Sequence, residues 1–279
     1  MDLDVAGSNP VTRPNFPTFF ARSPSYFVMP AGTDLLLLFV AGIITGLMNA
    51  VAGGGSFVAF PALLLAGIPA ISANVTTTVA TVPGQFASVW AYRHDIRAAT
   101  QFDIRLLLAI SVVGGLVGAV ILLATPSAVF SGVLPWLMLL ATAIFIFGNF
   151  APKAILQRFT IGTRGVLTAQ FAIAIYGGYF GAGIGFMMLA ALTLYGMRDI
   201  HAMNGLKLVL ALCMTVVSSI AFVYAGKVYW TEALVMCVAT LIGGYGGALG
   251  AKKVKPELIK IFIALLGTGL TIYFFIHGA

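Results

Sequence analysis

Charged residues are scarce in this chain, and cysteine is almost absent. Only 8% of the 279 residues are charged and 60% are hydrophobic, whereas roughly 25% of the residues of a soluble domain are charged. This composition excludes an ordinary soluble domain, because so much apolar surface has to be shielded from water by a bilayer. The two cysteines, Cys213 and Cys237, lie inside apolar runs without metal-ligand spacing, so they are interpreted as small buried hydrophobes.

Carboxylates are missing from the depth of the apolar runs. Those near the runs fall at predicted helix ends or in loops: Asp34, Asp95, Asp103, Asp199, Glu232 and Glu257. A proton or sodium relay normally requires an intramembrane carboxylate, and a cation substrate also needs one. The absence therefore favours an anionic substrate over a cation.

Catalytic motifs are also missing. The sequence contains no H-E-x-x-H, G-x-S-x-G or phosphate-loop pattern, and it gives no sign of a cofactor or a metal site. The net charge of +7 is spread over short loops, without the basic face that nucleic-acid binding requires. We therefore expect neither an enzyme nor a nucleic-acid partner.

Apolar runs follow one another along most of the chain. They cover residues 34–51, 56–66, 71–91, 104–124, 128–149, 165–180, 184–195, 201–225, 231–250 and 257–277. A spanning helix needs about 20 residues, so the runs at 71–91, 104–124, 128–149, 201–225, 231–250 and 257–277 are predicted to span a membrane. The runs at 56–66 and 184–195 are too short. The sequence predicts an all-α polytopic membrane protein.

An internal duplication sets the domain organisation. The string GGLVGA at 114–119 returns 129 positions later as GGYGGA at 243–248, and the same shift aligns Gly54 with Gly183 and Phe57 with Phe186. Duplicated membrane units are characteristic of transporters. We predict an irregular tail over 1–33, a first transmembrane repeat over 34–149, a cytoplasmic linker over 150–164 and a second repeat over 165–279.

Charge asymmetry predicts that the two repeats are inverted. The segments 92–105, 150–164, 198–200 and 251–260 hold 11 of the 15 Lys and Arg residues, and the positive-inside rule places these loops in the cytoplasm. The first repeat then begins outside and the second begins inside. Each repeat is predicted to contain a glycine-broken helical hairpin, re-entrant or barely spanning, followed by three transmembrane helices. Both termini are predicted to lie outside.

The glycine breaks at 52–55 and 181–183 occupy matching places in the two repeats. Short, Gly-interrupted apolar segments in corresponding positions indicate the binding site of a transporter, and the freed N–H groups of a half-helix bind anions. Glycine also permits close helix packing, which is the interpretation for the G-x-x-x-G pairs Gly42/Gly46, Gly114/Gly118 and Gly243/Gly247. For the two breaks a binding site is the favoured interpretation.

Lys207 is the most informative single residue, since it lies two turns inside an apolar run. An ion at that depth needs a partner or a cavity, unless the side chain snorkels to the membrane boundary. At the shift of 129 it matches Thr78, so the position is polar in both repeats. The neighbouring threonines either offer hydroxyls to a substrate or bond back to their own helix. The predicted substrate-binding residues are Asn49, Gly53, Gly54, Gly55, Ser56, Thr76, Thr77, Thr78, Gly181, Gly183, Gly185, Asn204 and Lys207.

These residues lie in segments that resemble the TauE/SafE family of sulfite and organosulfonate exporters. The resemblance is carried by GLMNAVAGGGSFVAFPALLLAGI at 46–68, ANVTTTVATVPGQ at 73–85 and YRHDI at 92–96, with weaker copies FGAGIGF at 180–186 and MNGLK at 203–207. It implies a carrier of small sulfur-containing anions that works by alternating access in the bacterial inner membrane. Ala182 and Ile184 stand where the first repeat has Gly53 and Gly55, so the two hairpins are not equivalent.

Three functions stay open at this point. The first is a secondary carrier that holds a small anion between the breaks and Lys207. The second is a channel for the same ions, with the breaks as a filter, and the third is a non-transporting membrane partner of another complex. A homo-oligomer also stays open, since partner-facing and lipid-facing glycine stripes look alike.

Overall fold

The structure is a computed structural model that describes residues 31–51, 53–93, 104–150, 162–197, 199–250 and 256–277. Over these ranges the chain forms helices and turns, with no strand. The helices are α1 (Ala31–Val51), α2 (Ser56–Leu65), α3 (Ala70–Ala91), α4 (Ile104–Ala124), α5 (Ser127–Phe150), α6 (Thr163–Tyr179), α7 (Ile184–Leu194), α8 (Ile200–Tyr224), α9 (Trp230–Gly250) and α10 (Pro256–His277). The predicted all-α class is confirmed. Residues 1–30 of the predicted tail and 151–161 of the predicted linker lie outside the described residues.

Five helices are long and apolar enough to cross a membrane, namely α1, α4, α5, α8 and α9. The chain is therefore a multi-pass membrane protein. The sequence also predicted spans at α10 and α3. In α10 the apolar stretch is the shorter Ile261–His277, whereas α1, predicted as part of a re-entrant or barely spanning hairpin, is long enough to cross. α3 has 22 residues and is long enough. It is less apolar than the others because Asn74, Thr76, Thr77, Thr81 and Gln85 all lie on its buried surface. α2 and α7 have 10 and 11 residues, too few to span, as expected.

Glycine lets the first helix of each repeat pack closely on a helix of the other repeat. α1 runs parallel to α9, where a Cβ on Gly46 would overlap the Thr240 carbonyl oxygen and one on Gly243 would overlap that of Ile43. α6 packs on α4 in the corresponding way, with Gly178 against the Gly115 carbonyl. Backbones that approach this closely associate by van der Waals contact, which replaces the hydrophobic effect inside a membrane.

The same shift of 129 recurs in contacts between the repeats. Thr142 in α5 and Thr271 in α10 are separated by 129 positions, and their hydroxyl oxygens lie 3.4 Å apart. A residue meets its own counterpart only near a two-fold axis. The matching helices α3 and α8 run antiparallel, since Tyr92 at the end of α3 shares a core cluster with Leu208 near the start of α8, and Thr76 near the start of α3 accepts the amide of Tyr229, which follows α8. These contacts support the prediction of inverted repeats.

Exposed aromatic residues mark the two ends of the antiparallel pair. Trp90 lies in the last turn of α3 and is 66% exposed, with the Arg93 guanidinium 5.0 Å from its ring centroid. Tyr224 and Trp230, at the opposite end of α8 and the start of α9, are also exposed. Tryptophan and tyrosine prefer the boundary between lipid and water. The exposed aromatic side chains at both ends of this pair agree with that preference.

The close helix contacts lead to a stability prediction. We expect Gly118→Ala to lower the free energy of unfolding by about 1–3 kcal/mol, because its Cβ would overlap the Ile175 carbonyl oxygen and lie 2.8 Å from the Tyr179 nitrogen. Gly132→Ala in α5 is the control, since no atom lies within 4 Å of its Cβ position. Thermal unfolding in detergent should separate the two variants. Equal melting temperatures would contradict the packing role of Gly118.

Candidate functional site

A small cavity lies where the two hairpins, α1–α2 and α6–α7, meet α3 and α8. Its volume is about 40 Å³, and on this measure roughly 10–15 Å³ holds one water molecule. The space therefore suits a few waters or one small ion. The cavity is lined by Asn49, Gly53, Ser56, Thr78, Thr81, Gln85, Gly177, Gly181, Ile184, Gly185, Lys207, Leu208, Ala211 and Thr215.

The first break is a tight turn held by hydrogen bonds from its own hairpin. The Gly53 amide donates to the Met48 carbonyl at 2.8 Å, and Gly53 has a φ of +91°, a conformation that favours glycine. The Gly55 amide donates to the Asn49 side-chain oxygen at 2.8 Å. Asn49 therefore satisfies an amide that the start of α2 leaves free, and its NH₂ group has no hydrogen-bond partner among the described residues.

The second break is built from different residues. Gly181 and Gly183 have φ values of +79° and +77°, and the Tyr176 carbonyl accepts the Phe180 and Gly181 amides at 2.8 and 3.2 Å. The first amide of α7 that bonds back within the hairpin is that of Phe186, to Gly183. The amides of Ile184 and Gly185 precede it and form the open N-terminal end of α7 beside the cavity.

The two breaks contact each other through glycine. A Cβ built on Gly53 would lie 2.7 Å from the Gly185 Cα, and one built on Gly185 would lie 2.6 Å from the Gly53 Cα. No side chain fits between these two backbones. The start of α2 and the start of α7 are therefore brought side by side, and both open N-terminal ends reach the same cavity.

Lys207 brings a positive charge into this cavity. Its side chain is 1% exposed, and its Nζ donates to the Asn204 side-chain oxygen at 3.1 Å. No carboxylate lies among the described residues of the cavity wall to pair with it. A buried ammonium with only a neutral partner is costly. The arrangement therefore favours an anion in the cavity.

A polar face of α3 forms the wall of the cavity opposite the hairpins. Thr78, Thr81 and Gln85 line the cavity, and their spacing of three and four residues places them on one side of the helix. Thr76 and Thr77 point elsewhere. The Thr76 hydroxyl oxygen accepts the Tyr229 amide at 3.1 Å, and the Thr77 hydroxyl is buried without a hydrogen-bond partner in the described structure.

The structure brings seven of the thirteen predicted site residues to the cavity wall. These are Asn49, Gly53, Ser56, Thr78, Gly181, Gly185 and Lys207. Asn204 lies behind Lys207 and contacts it. Three of the predicted glycines shape the breaks rather than line the cavity: Gly54 packs against Phe186 and Ile263, Gly55 against Thr45 and Asn49, and Gly183 against Ala141. Thr76 and Thr77 also lie off the cavity wall.

Sequence reasoning did not select Thr81, Gln85 and Thr215, which also line the cavity. The signal in the sequence that identifies them is their helical spacing from predicted site residues. Thr81 and Gln85 continue the face that begins at Thr78, and Thr215 lies two turns beyond Lys207 with a spacing of eight residues. Choosing polar residues by their distance from the glycine breaks could not find them, since they lie along the helices.

The chain matches the family model described as sulfite exporter TauE/SafE over residues 38–274. It is 31% identical over 253 residues to a probable membrane transporter protein of Haemophilus influenzae, covering 87% of this chain and 95% of that relative. A probable membrane transporter protein of a Sinorhizobium species, ORF9, is 32% identical over 83% of this chain and 90% of its own length.

A third relative, the probable membrane transporter protein YfcA of Escherichia coli K12, is 27% identical over 81% of this chain and 85% of its own. No solved structure gives a significant match. The family model covers the hairpins, both breaks and every described residue of the cavity wall. The chain therefore belongs to the TauE/SafE family of sulfite exporters, which are membrane transport proteins.

Proposed function

We propose that this chain is a secondary transporter of small sulfur-containing anions, such as sulfite or a sulfonate, in the bacterial inner membrane with both termini outside. The observation that carries the proposal is the buried Lys207 beside a cavity at which two half-helix N-termini open. Both features favour negative charge, and the described wall holds no carboxylate. The family description supports sulfur oxyanions as the substrate class.

The anion is held from one side of the cavity. Lys207 contributes its ammonium group and Asn49 its NH₂ group. Ser56, the first residue of α2, contributes its backbone amide. The N-terminal amides of α7 approach from the second hairpin. Charge-assisted hydrogen bonds of this kind are about twice as strong as neutral ones, and they need no intramembrane carboxylate.

The packing of the helices suggests which parts move. α1, α2, α3 and α9 pack on one another, and α4, α6, α7 and α8 form the equivalent group. Each group combines helices of both repeats, and the groups meet at α3 and α8 and at the two breaks. Rocking of one group against the other around the cavity would expose a bound anion to each side alternately.

The proposed function is tested by transport into liposomes. With purified protein reconstituted, we expect saturable uptake of labelled sulfite that accelerates when unlabelled sulfite is present on the other side. Exchange acceleration requires a carrier, whereas a channel would give single-channel currents and no acceleration. Flux no greater than that of empty liposomes for sulfite, thiosulfate and sulfonates would overturn the proposal.

A further inference from the structure

The threonine hydroxyls on the cavity wall already donate hydrogen bonds to backbone carbonyls of their own helices. Thr78 donates to the Asn74 carbonyl at 2.9 Å, and Thr81 donates to the Thr78 carbonyl at 2.9 Å. Thr215 on α8 donates to the Ala211 carbonyl at 2.7 Å. A hydroxyl has one donor and two acceptor lone pairs. These three side chains therefore present acceptors to the cavity, although threonine is commonly regarded as a donor to anions.

The donors are grouped on a different part of the wall. Lys207 is a pure donor, and the Asn49 oxygen is occupied by the Gly55 amide, which leaves its NH₂ group. The start of α2 adds the Ser56 amide and the start of α7 adds the Ile184 and Gly185 amides, because the amides that follow them bond back within the hairpins. The cavity therefore has a donor side, formed by the hairpins and Lys207, and an acceptor side, formed by Thr78, Thr81 and Thr215. Gln85 lies on this second side, and its side-chain oxygen is buried without a hydrogen-bond partner in the described structure.

Charge limits the occupant further. Lys207 is the one charged residue among the described residues of the wall, so a singly charged anion neutralises the site. The second charge of a doubly charged anion would be opposed only by the partial positive charges at the starts of α2 and α7, and burial of a poorly compensated charge is unfavourable in a medium of low dielectric constant. The threonine lone pairs would add to this penalty, because they repel the oxygens of an anion that carries no hydrogen.

We propose that the cavity selects a singly charged oxyanion that still carries a hydrogen-bond donor, so that the substrate form is hydrogen sulfite rather than the sulfite dianion. The oxyanion faces Lys207 and the hairpin N-termini, and its hydrogen is donated to the threonine oxygens. This inference rests on the proposed function and specifies the protonation state of its substrate. The acceptor side consists of residues that discriminate between anions of equal charge.

Methanesulfonate is the matched probe, because it is a single anion of similar size that has no hydrogen-bond donor. At a mildly acidic pH at which sulfite is mostly singly protonated, we expect wild-type liposomes to favour labelled hydrogen sulfite over methanesulfonate. Thr215→Val keeps the side-chain shape and removes the acceptor. It should reduce that preference roughly two- to ten-fold, the range expected for one neutral hydrogen bond, and Thr81→Val should act in the same direction.

Thr193→Val is the control for the substitution itself. Thr193 in α7 also donates to its own helix, to the Leu189 carbonyl at 2.8 Å, and it does not line the cavity. Its variant should keep the wild-type preference. An unchanged preference in Thr215→Val, or an equal loss for both anions, would overturn the inference, since an equal loss means that the hydroxyl donates to the anion. Absence of flux for both anions, and for thiosulfate, in the wild type would instead refute the proposed function.

Discussion

Replacement of Lys207 by methionine is expected to lower the affinity for sulfite by roughly 10- to 100-fold, the effect of losing a hydrogen bond to a charged group. Methionine matches the length and volume of the lysine stem, so the cavity keeps its shape while its positive charge disappears. The half-helix N-termini and Asn49 remain and give residual binding. Concentration dependence of labelled sulfite uptake in liposomes measures the change.

The same variant should be at least as stable as the wild type. Lys207 is buried against Asn204 without an ion pair among the described residues, and removal of an uncompensated buried charge is neutral or stabilising. Thermal unfolding in detergent therefore separates a binding role from a structural one. A marked fall in melting temperature together with the loss of uptake would contradict the assignment of Lys207 to the substrate.

Lys227→Met is the matched control. Lys227 lies in the turn after α8, outside the cavity wall, and its loss changes the net charge of the protein by the same amount. We expect uptake by this variant to stay within about two-fold of the wild type, as for surface substitutions away from a site. A similar loss in both variants would mean that the overall charge, rather than the charge in the cavity, governs uptake.

The fold was largely predictable from the sequence because membrane helices appear as long apolar runs and their breaks as glycine clusters. Long apolar runs gave the helix bounds to within three residues, and the glycines of the 52–55 and 181–183 segments located the two breaks. α3 is the exception, because its hydropathy is lower than that of the helices that are apolar enough to cross a membrane. Its polar face is shielded by the hairpins and α8, and no single-sequence signal distinguishes a polar face turned toward a cavity from one turned toward water.

The candidate site was predictable in outline but not in detail. Lys207 and the breaks stood out because a buried charge and a run of glycines are both unfavourable in an apolar helix. The direction of each threonine depends on helix rotation, which packing decides. Thr76 therefore bonds the Tyr229 amide, while Thr81 and Thr215 line the cavity. Only the structure shows that the hydroxyl protons are already used.

Substitution of Gly53 by alanine is expected to remove transport and to lower the free energy of unfolding by about 2–5 kcal/mol, adding a left-handed backbone penalty to overpacking. Gly53 has a φ of +91°, and its Cβ would lie 2.7 Å from the Gly185 Cα. The two breaks would have to separate, and the N-terminal ends of α2 and α7 would no longer share one cavity. Thermal unfolding and sulfite uptake measure the two effects.

Gly67→Ala separates backbone strain from the contact between the breaks. Gly67 has a similar φ of +80°, but nothing lies within 4 Å of its Cβ position in the turn before α3. The free energy of unfolding of this variant should fall by about 1–2 kcal/mol because of the left-handed conformation alone. The variant should keep transport. The difference between the two variants therefore measures the cost of separating the two breaks.

Gly185→Ala tests the same contact from the second hairpin. Gly185 lies inside α7 with a helical backbone, so alanine brings no left-handed strain, yet its Cβ would lie 2.6 Å from the Gly53 Cα. We expect this variant to lose transport as Gly53→Ala does, with a smaller loss of stability. If Gly185→Ala transports sulfite like the wild type, close contact of the breaks is not required, and the anion does not depend on both half-helices.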